Sequence, residues 1–277
     1  MLALTSSEQR IADLRVRGVT PLLGNLDEGN SLRRLAGIAT RVLYLAAPPA
    51  HGASDPRMSA LTQVLRQRSR PRTLIYASTS GVYGDCRGER VTETRTPHPS
   101  TPRAQRRLAA EAELRLLGRA SLGGRALRAG ILRVPGIYAP DRPNGTPRQR
   151  LLRQTPVLER ADDVYTNHIH ADDLARACLS ALWKGRSQRT YNVNDDSDLL
   201  MGDYFDLAAD LLGLPRPPRI VRRVAATELA PQSLSFMSES RRMDNTRLKR
   251  ELGLRLRYPS VNEGLAPLRA GQADPCK

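Results

Sequence analysis

The chain has few cysteines, few aromatic residues, almost no lysine and no long apolar run. Its three cysteines, Cys86, Cys178 and Cys276, are far apart and form no CxxC pair. This pattern argues against a disulfide framework or a zinc knuckle and suits a reducing compartment. No stretch of 18 apolar residues exists, and the N-terminus lacks the basic and apolar regions of a signal peptide. We therefore expect a cytoplasmic protein with no membrane partner.

Carboxylates are also too few to balance the basic residues. The chain has 44 Lys and Arg against 28 Asp and Glu, a formal net charge of +16, and only three of the basic residues are lysines. Such an excess predicts attraction to polyanions. However, the arginines are spread from Arg10 to Arg269, and their densest runs contain no aromatic residue on which a base could stack. We therefore expect no specific nucleic-acid partner.

Strand and helix patterns alternate along the chain, which predicts an α/β protein with a parallel sheet. The predicted strands are Leu2 to Leu4, Thr20 to Leu23, Arg41 to Ala46, Thr73 to Ala77, Arg125 to Val134 and Thr190 to Asn194. A hydroxyl of Thr5 to Ser7 is expected to cap the helix Glu8 to Arg17. A later helix, after those predicted at Ser31 to Ala36 and Asp55 to Arg68, starts at Ser100-Thr101-Pro102, with an apolar stripe predicted at Ala104, Leu108, Ala112 and Leu116.

The most informative segment is TLIYASTSGVYGD, Thr73 to Asp85. A run of β-forming residues breaks into the hydroxyl residues Ser78, Thr79 and Ser80, followed by a glycine-containing turn. In open α/β sheets, ligands bind at the carboxyl ends of the strands. This turn is therefore a candidate active-site edge.

Several strand-end signals occur in one order along the chain. They are GNL (Gly24 to Leu26), LAAP (Leu45 to Pro48), ASTSGVYG (Ala77 to Gly84), LRVPGIYAP (Leu132 to Pro140), HIHADDLA (His168 to Ala175), YNV (Tyr191 to Val193) and the segment Arg241 to Leu265. Together they resemble the extended short-chain dehydrogenases, the NAD-dependent epimerase/dehydratase family, over nearly the whole chain. The resemblance implies a Rossmann-like, doubly wound sheet in residues 1–140 and 164–196 and a smaller substrate-binding cap in residues 141–163 and 197–277.

The resemblance also implies a cofactor, a substrate class and site residues. The cofactor would be NAD or NADP, and the small-molecule substrate a nucleotide sugar or a related polar compound. Thr79 takes the position of the family's catalytic serine or threonine, with Ser78 beside it. The implied cofactor contacts are Ser6, Asn25, Leu26, Ala46, Ala47, Pro48, Ser78, Arg107, Pro135, Ile137 and Tyr138. No metal is implied.

One departure from the family concerns phosphate binding. The family begins with a strand and a glycine-rich turn that holds the cofactor pyrophosphate, whereas Met1 falls inside what resembles the second strand. The first βα unit is therefore missing. We expect upstream in-frame codons to encode it, the alternatives being a truncated product or a protein that has abandoned dinucleotide binding. The Leu2 to Leu4 and Arg41 to Ala46 strands should then not pair, and NAD(P) binding should be weak.

The second departure lies on the helix after Thr101. The family has Tyr and Lys at i and i+4 there, for proton transfer, and this chain has Arg103 and Arg107. Arginine can bind a ribose or a phosphate, but it does not exchange protons near neutral pH. This loss is similar to the atypical branch of the family. Tyr83 or Tyr138 remains as an alternative acid/base group.

The HIHADD stretch has two interpretations. His168, His170 and Asp172 have the spacing of a metal triad, but we favour a turn in which Asp172 or Asp173 caps the following helix. Two rival functions also remain. One is a non-catalytic binding or sensor module for an anionic small ligand, and the other, less favoured, is a basic nucleic-acid binder.

Overall fold

The structure is a computed structural model that describes residues 1–119 and 127–270. Arg125, the predicted first residue of a strand, and Cys276 lie outside the described residues. The strands are β1 (Leu2–Thr5), β2 (Thr20–Leu23), β3 (Arg41–Tyr44), β4 (Thr73–Thr79), β5 (Arg90–Val91), β6 (Arg128–Val134), β7 (Gly136–Tyr138), β8 (Val157–Leu158), β9 (Tyr165–Thr166), β10 (His168–His170), β11 (Arg189–Asn192), β12 (Leu199–Leu200), β13 (Arg219–Ile220) and β14 (Arg242–Met243).

The α-helices are α1 (Arg10–Val16), α2 (Pro56–Leu65), α3 (Pro102–Arg119), α4 (Arg148–Leu152), α5 (Ala171–Lys184), α6 (Met201–Leu212), α7 (Arg222–Glu228), α8 (Pro231–Met237), α9 (Thr246–Leu252) and α10 (Val261–Leu265). Three 3-10 helices cover Gly29–Leu35, Ser80–Tyr83 and Ala266–Ala270. Within the described ranges, no helix is both long and apolar enough to cross a membrane.

The central sheet has four parallel strands in the order β11-β6-β4-β3. The side chains of β4 alternate between its two faces. Leu74 and Tyr76 pack with α2 and α3, and Ile75 packs with α5 and α9. Because helices cover both faces, the strands read as nearly continuous apolar runs. The predicted doubly wound α/β fold is confirmed.

The first two strands form a separate parallel pair. β1 is hydrogen-bonded to β2, β3 is hydrogen-bonded to β4, and β1 and β3 do not pair with each other. The expectation about these two strands is therefore confirmed. The two sheets are linked near their carboxyl ends by Arg57, which donates to Asp27 after β2 and to the carbonyl of Ala47 after β3.

A second core lies in the C-terminal half. Its buried apolar residues come from β7, α4, β8, α6, α7 and α10, with Tyr138, Phe205 and Leu265 among them. Gly264 approaches Tyr138 so closely that a Cβ there would lie 2.2 Å from the phenol oxygen. Leu248 and Leu252 of α9 pack with the sheet core instead. The proposed domain boundaries stay a prediction.

Three local predictions were wrong. No hydroxyl caps α1, whose N-cap residue is Gln9. α5 is capped by His170, whose Nδ1 accepts the backbone N–H of Asp172. On α3, Leu116 is 59% exposed, and the buried positions include Ala104, Ala110 and Leu114. A four-residue spacing drifts around a helix of 3.6 residues per turn, so the predicted stripe leaves the buried face.

Candidate functional site

Thr79 lies at the carboxyl end of β4, in the middle of the sheet edge. It is the N-cap residue of the 3-10 helix Ser80–Tyr83, and its Oγ1 accepts the backbone N–H of Gly81 at 3.3 Å. The side chain is half-buried. Gly84 follows with φ of 66° at a point where a Cβ would lie 2.1 Å from the carbonyl oxygen of His98. The turn after Thr79 therefore requires glycine, and it holds the hydroxyl at the edge of the sheet.

Arg107 connects two neighbouring strand ends. Its Nη1 donates to the carbonyls of Ala77 at 2.7 Å and Ala46 at 3.4 Å, and to the Tyr76 hydroxyl at 3.2 Å. Nε and Nη2 make no hydrogen bond to any described residue. An arginine held by one nitrogen keeps its other donors for a ligand. Arg107 therefore lies beside the Ser78 and Thr79 strand end, where the family alignment predicts it.

Ser78 points away from this edge into a buried ion pair. Its Oγ donates to Glu111 Oε1 at 2.7 Å, and Arg133 donates to both oxygens of Glu111 at 3.1 and 2.7 Å. The Glu111 and Arg133 side chains are only 1% and 2% exposed. Burial opposes the charge on Arg133, but its bonds to Glu111 raise its pKa. Ser78 thus fastens the end of β4 to the buried Glu111 and does not face the sheet edge.

Sequence reasoning did not assign a role to Glu111, Arg133 or Tyr76. A signal for the first two was present, because each is a charged residue within an apolar run, LAAEAEL and ILRV. Charged residues that become buried need a partner. The sequence does not show that these two residues meet, since one lies on α3 and the other on β6.

The structure separates Arg103 from Arg107. Arg103 is exposed and its guanidinium carbon lies 4.8 Å from the ring centroid of Phe236 on α8. Nearby, Arg241 donates to Glu239 and to the carbonyl of Gly84, both at 2.8 Å. These contacts join α8 and the segment after it to the sheet edge, so Arg103 belongs to the boundary between the two cores.

The two alternative tyrosines are both buried. Tyr83 is 1% exposed and donates to Asn192, and Tyr138 is 2% exposed and faces Asp195 and the carbonyl of Ser260. Burial raises the pKa of both phenols above their ordinary value. These positions and pKa directions argue against exchange of a proton with a ligand at neutral pH.

The remaining predicted contacts are divided between the two sheets. Ala46, Ala47 and Pro48 follow β3, and Pro135 and the 55% exposed Ile137 follow β6, all at the edge that holds Thr79. Ser6, Asn25 and Leu26 lie at the ends of β1 and β2. The amide of Asn25 is engaged locally, with Asp27 and Glu28. The structure therefore brings the predicted contacts after β3 and β6 to the edge that holds Thr79, and it places those after β1 and β2 on the other sheet.

The histidines of β10 serve the fold. His168 stacks on Tyr204 with ring centroids 4.1 Å apart, and burial lowers its pKa to about 3. His170 caps α5 and packs against Tyr258. Asp173 accepts the backbone N–H groups of Arg257 and Tyr258. Among the described residues, no group of His, Cys, Asp and Glu is arranged to hold a metal ion.

Two cavities lie away from Thr79 and Arg107. One of about 230 Å³ lies beside Asp195, Asn167 and Asn245, and a more open one of about 590 Å³ is lined by Thr92, Thr94, Thr96 and Arg95. Several of their charged side chains are held in ion pairs, as are Arg90 with Asp198 and Arg95 with Glu89. We place the candidate site at the strand edge because free donors and small residues meet there.

The family's sequence profile, described as the NAD dependent epimerase/dehydratase family, matches residues 57–194. This span contains β4, α3 and β6. Over these residues the chain belongs to this family. No curated protein sequence matches the chain significantly.

Solved structures of this epimerase/dehydratase fold align with nearly the whole chain. A conserved protein of unknown function from Silicibacter pomeroyi is 29% identical, with 98% of this chain and 89% of that chain covered and a TM-score of 0.77. UDP-glucose 4-epimerase from Thermotoga maritima, solved with UDP-glucose, is 20% identical, with 97% and 89% covered and a TM-score of 0.76. MoeE5, solved with UDP-glucose and NAD, is 21% identical, with 97% of both chains covered and a TM-score of 0.71. The last two likenesses show a shared fold.

Proposed function

We propose that the chain binds a nicotinamide dinucleotide, NAD or NADP, at the sheet edge formed by Ala46, Thr79, Arg107 and Pro135. The observation that carries this proposal is the position of Arg107, which lies between the ends of β3 and β4 and whose Nε and Nη2 bond to no described residue. A guanidinium and a hydroxyl on small-residue turns fit a ribose hydroxyl or a phosphate oxygen. Family membership and the NAD bound to MoeE5 support the same assignment.

We further propose a nucleotide sugar as the second ligand, placed between this edge and α8. UDP-glucose is bound in two of the aligned structures. In this chain, the guanidinium carbon of Arg103 on α3 lies 4.8 Å from the ring centroid of the exposed Phe236 on α8, so a cation and an aromatic ring lie side by side there. A sugar ring packs on an aromatic face, and a diphosphate pairs with arginine.

The cofactor would accept or return a hydride at its nicotinamide ring when bound. The chain supplies a hydroxyl at Thr79 that donates a hydrogen bond to a substrate oxygen, and Arg107 orients the ribose. Arg103 does not replace the family tyrosine in proton transfer, because arginine as a residue type is not a proton donor and acceptor near neutral pH. Tyr83 and Tyr138 are enclosed. These features favour a second candidate function, a binding or sensor module that holds the same ligands without turnover.

Binding is tested by titrating the 277-residue chain with NADH and following fluorescence and heat. The sequence contains no glycine-rich phosphate turn, so we expect a Kd on the order of 0.1 to 1 mM. Thr79→Val should retain binding, and Arg107→Ala should weaken it. A Kd in the low micromolar range would show that this chain binds the cofactor tightly without a glycine-rich turn, and no binding at all would overturn the cofactor assignment.

Turnover separates the two candidate functions. UDP-glucose is incubated with the chain and NAD, and epimerised sugar and absorbance at the NADH band are measured. Product formation that is abolished in Thr79→Val supports a catalyst. A thermal shift induced by UDP-glucose and NAD together, with no product, supports the binding module.

A further inference from the structure

The opposite edge of the central sheet carries arginines. Arg41 begins β3, Arg72 precedes β4 and Arg128 begins β6. The backbone N–H of Arg72 donates to the carbonyl of Thr40 at 2.7 Å, and that of Arg128 donates to the carbonyl of Arg72 at 3.0 Å. The three arginines therefore lie on adjacent strands, at the amino ends.

Two more arginines and a tryptophan extend this region. Arg66 and Arg68 lie in the connection between α2 and β4 and are exposed. Trp183, in the last turn of α5, lies beside Arg41 and Arg128: the guanidinium carbon of Arg41 is 3.5 Å from the indole centroid, and Arg128 Nη1 donates to the Trp183 carbonyl at 3.3 Å. We call Arg41, Arg66, Arg68, Arg72, Arg128 and Trp183 the arginine face.

The positive charge of the arginine face is not compensated. None of its five arginines forms an ion pair with a residue that the structure describes. The segments that build it, residues 29–54, 56–84, 127–140 and 174–194, contain no Asp or Glu at all. Glu251, beyond β11, pairs with Arg186 and Arg189 instead. A cluster of this kind produces a strong local positive potential.

Trp183 gives this face an aromatic surface. The residue is 62% exposed although Arg41 stacks on its ring. Proteins that hold single-stranded nucleic acid combine arginines along the backbone with aromatic rings on which bases stack. The sequence places Trp183 far from every arginine run, and the fold brings it to the arginine face.

We propose that the arginine face binds single-stranded nucleic acid without sequence preference. One base stacks on Trp183, and the flanking phosphates pair with Arg41, Arg68 and Arg72. A membrane surface also attracts arginines, but it is bound by helices that leave a broad apolar face unburied. α5 instead packs its apolar residues Ala177, Cys178 and Ala181 into the sheet core.

The arginine face is independent of the proposed cofactor site. The two lie at opposite ends of β4, a strand of seven residues that spans roughly 20 Å. NADH should therefore not compete with nucleic acid, and failure of NADH binding leaves this inference untouched.

The test is fluorescence anisotropy with a short labelled oligo(U) over a range of salt concentrations. The double variant Arg68→Ala with Arg72→Ala should weaken binding and reduce the slope of log K against log salt by about 1.4, two phosphates at about 0.7 each. Trp183→Ala should weaken binding about tenfold with the slope unchanged, and Trp183→Phe should retain it. The matched control is Arg160→Ala with Arg216→Ala, two exposed arginines that pair with Asp203 and Asp210; it should bind like the parent.

Three results would overturn the inference. One is an equal loss in the control double variant, which would mean that net charge alone decides binding. Another is a duplex bound as tightly as oligo(U) with no effect of Trp183→Ala. The third is binding to phosphatidylserine vesicles without binding to oligo(U). If the first double variant does not fold, Arg66→Ala with Arg68→Ala removes the same charge from an exposed loop and takes its place.

Discussion

The two ends of β3, β4 and β6 use arginine in opposite ways. At the carboxyl end, Arg133 is buried against Glu111, and Arg107 donates to the carbonyls of Ala46 and Ala77. At the amino end, Arg41 and Arg72 have no carboxylate partner among the described residues. The net charge of the chain therefore says little about any one arginine. Its function depends on the acceptors that the fold places around it.

The backbone explains part of this difference. Carbonyls at the carboxyl ends of β3 and β4 accept from Arg107. At the amino end, Arg128 donates to the carbonyls of Trp183 and Gly185, at the C-terminus of α5, where the helix dipole favours a cation. Arg66, Arg68 and Arg72 donate no side-chain hydrogen bond to a residue that the structure describes, whereas Arg189, at the start of β11, pairs with Glu251. The charge of the first three is therefore available to a ligand.

The largest expected effect comes from breaking the buried pair at the carboxyl end. Glu111→Gln leaves the charge of Arg133 buried without a counter-charge and should lower the free energy of unfolding by about 3 to 5 kcal/mol. The matched control is Glu89→Gln, which removes an exposed pair with Arg95 and should lower the free energy of unfolding far less. Urea unfolding measures both. If both variants lose the same free energy of unfolding, the buried pair of Arg133 is no more important for stability than the exposed pair of Arg95.

A second effect concerns pH. Burial raises the pKa of Asp195, just after β11, to about 7, and an unfolded Asp titrates near 3.9. Between these values the folded state holds a proton that the unfolded state has released, so this contribution to stability is present below about pH 4 and is lost as pH rises to about 7.

The measurement compares the parent chain with Asp195→Asn by urea unfolding at pH 5 and pH 8. The parent should lose roughly 3 kcal/mol relative to this variant, about two pH units of the window. Asp210→Asn on the surface of α6, whose carboxylate pairs with Arg216, is the control and should show no such loss. If the free energy of unfolding changes equally between pH 5 and pH 8 in the parent and in Asp195→Asn, Asp195 is ionised in the folded state.

The smallest effect separates the two ends in ligand binding. Arg107→Ala should weaken NADH binding by about 1 to 3 kcal/mol, the range for hydrogen bonds to charged groups, and should leave oligo(U) binding unchanged. Arg72→Ala should weaken oligo(U) binding and leave NADH binding unchanged. NADH binding is measured by calorimetry, and oligo(U) binding is measured by fluorescence anisotropy. An Arg107→Ala variant that loses both ligands equally would erase the functional distinction between the two edges.

The sequence correctly predicted the start of α3 and the position of the hydroxyl turn after β4, because both depend on neighbouring residues. Thr101 accepts the N–H of Ala104 at the start of α3, as Ser100-Thr101-Pro102 predicts. The hydroxyl turn after β4 also lies at the carboxyl edge. The prediction that Asp172 or Asp173 caps α5 was wrong. His170 caps this helix, because its Nδ1 accepts the backbone N–H of Asp172.

The sequence by itself determined the α/β order and the resemblance to the family, and it predicts Arg103 and Arg107 at the positions where the family has Tyr and Lys. These follow from residues close together in the chain, whose periodicity and spacing are local properties. Only the tertiary structure decided that Ser78 and Tyr138 are enclosed, that Arg103 and Arg107 separate, and that Trp183 lies on Arg41. Burial and charge compensation depend on contacts between distant segments, and no local pattern records which segments meet.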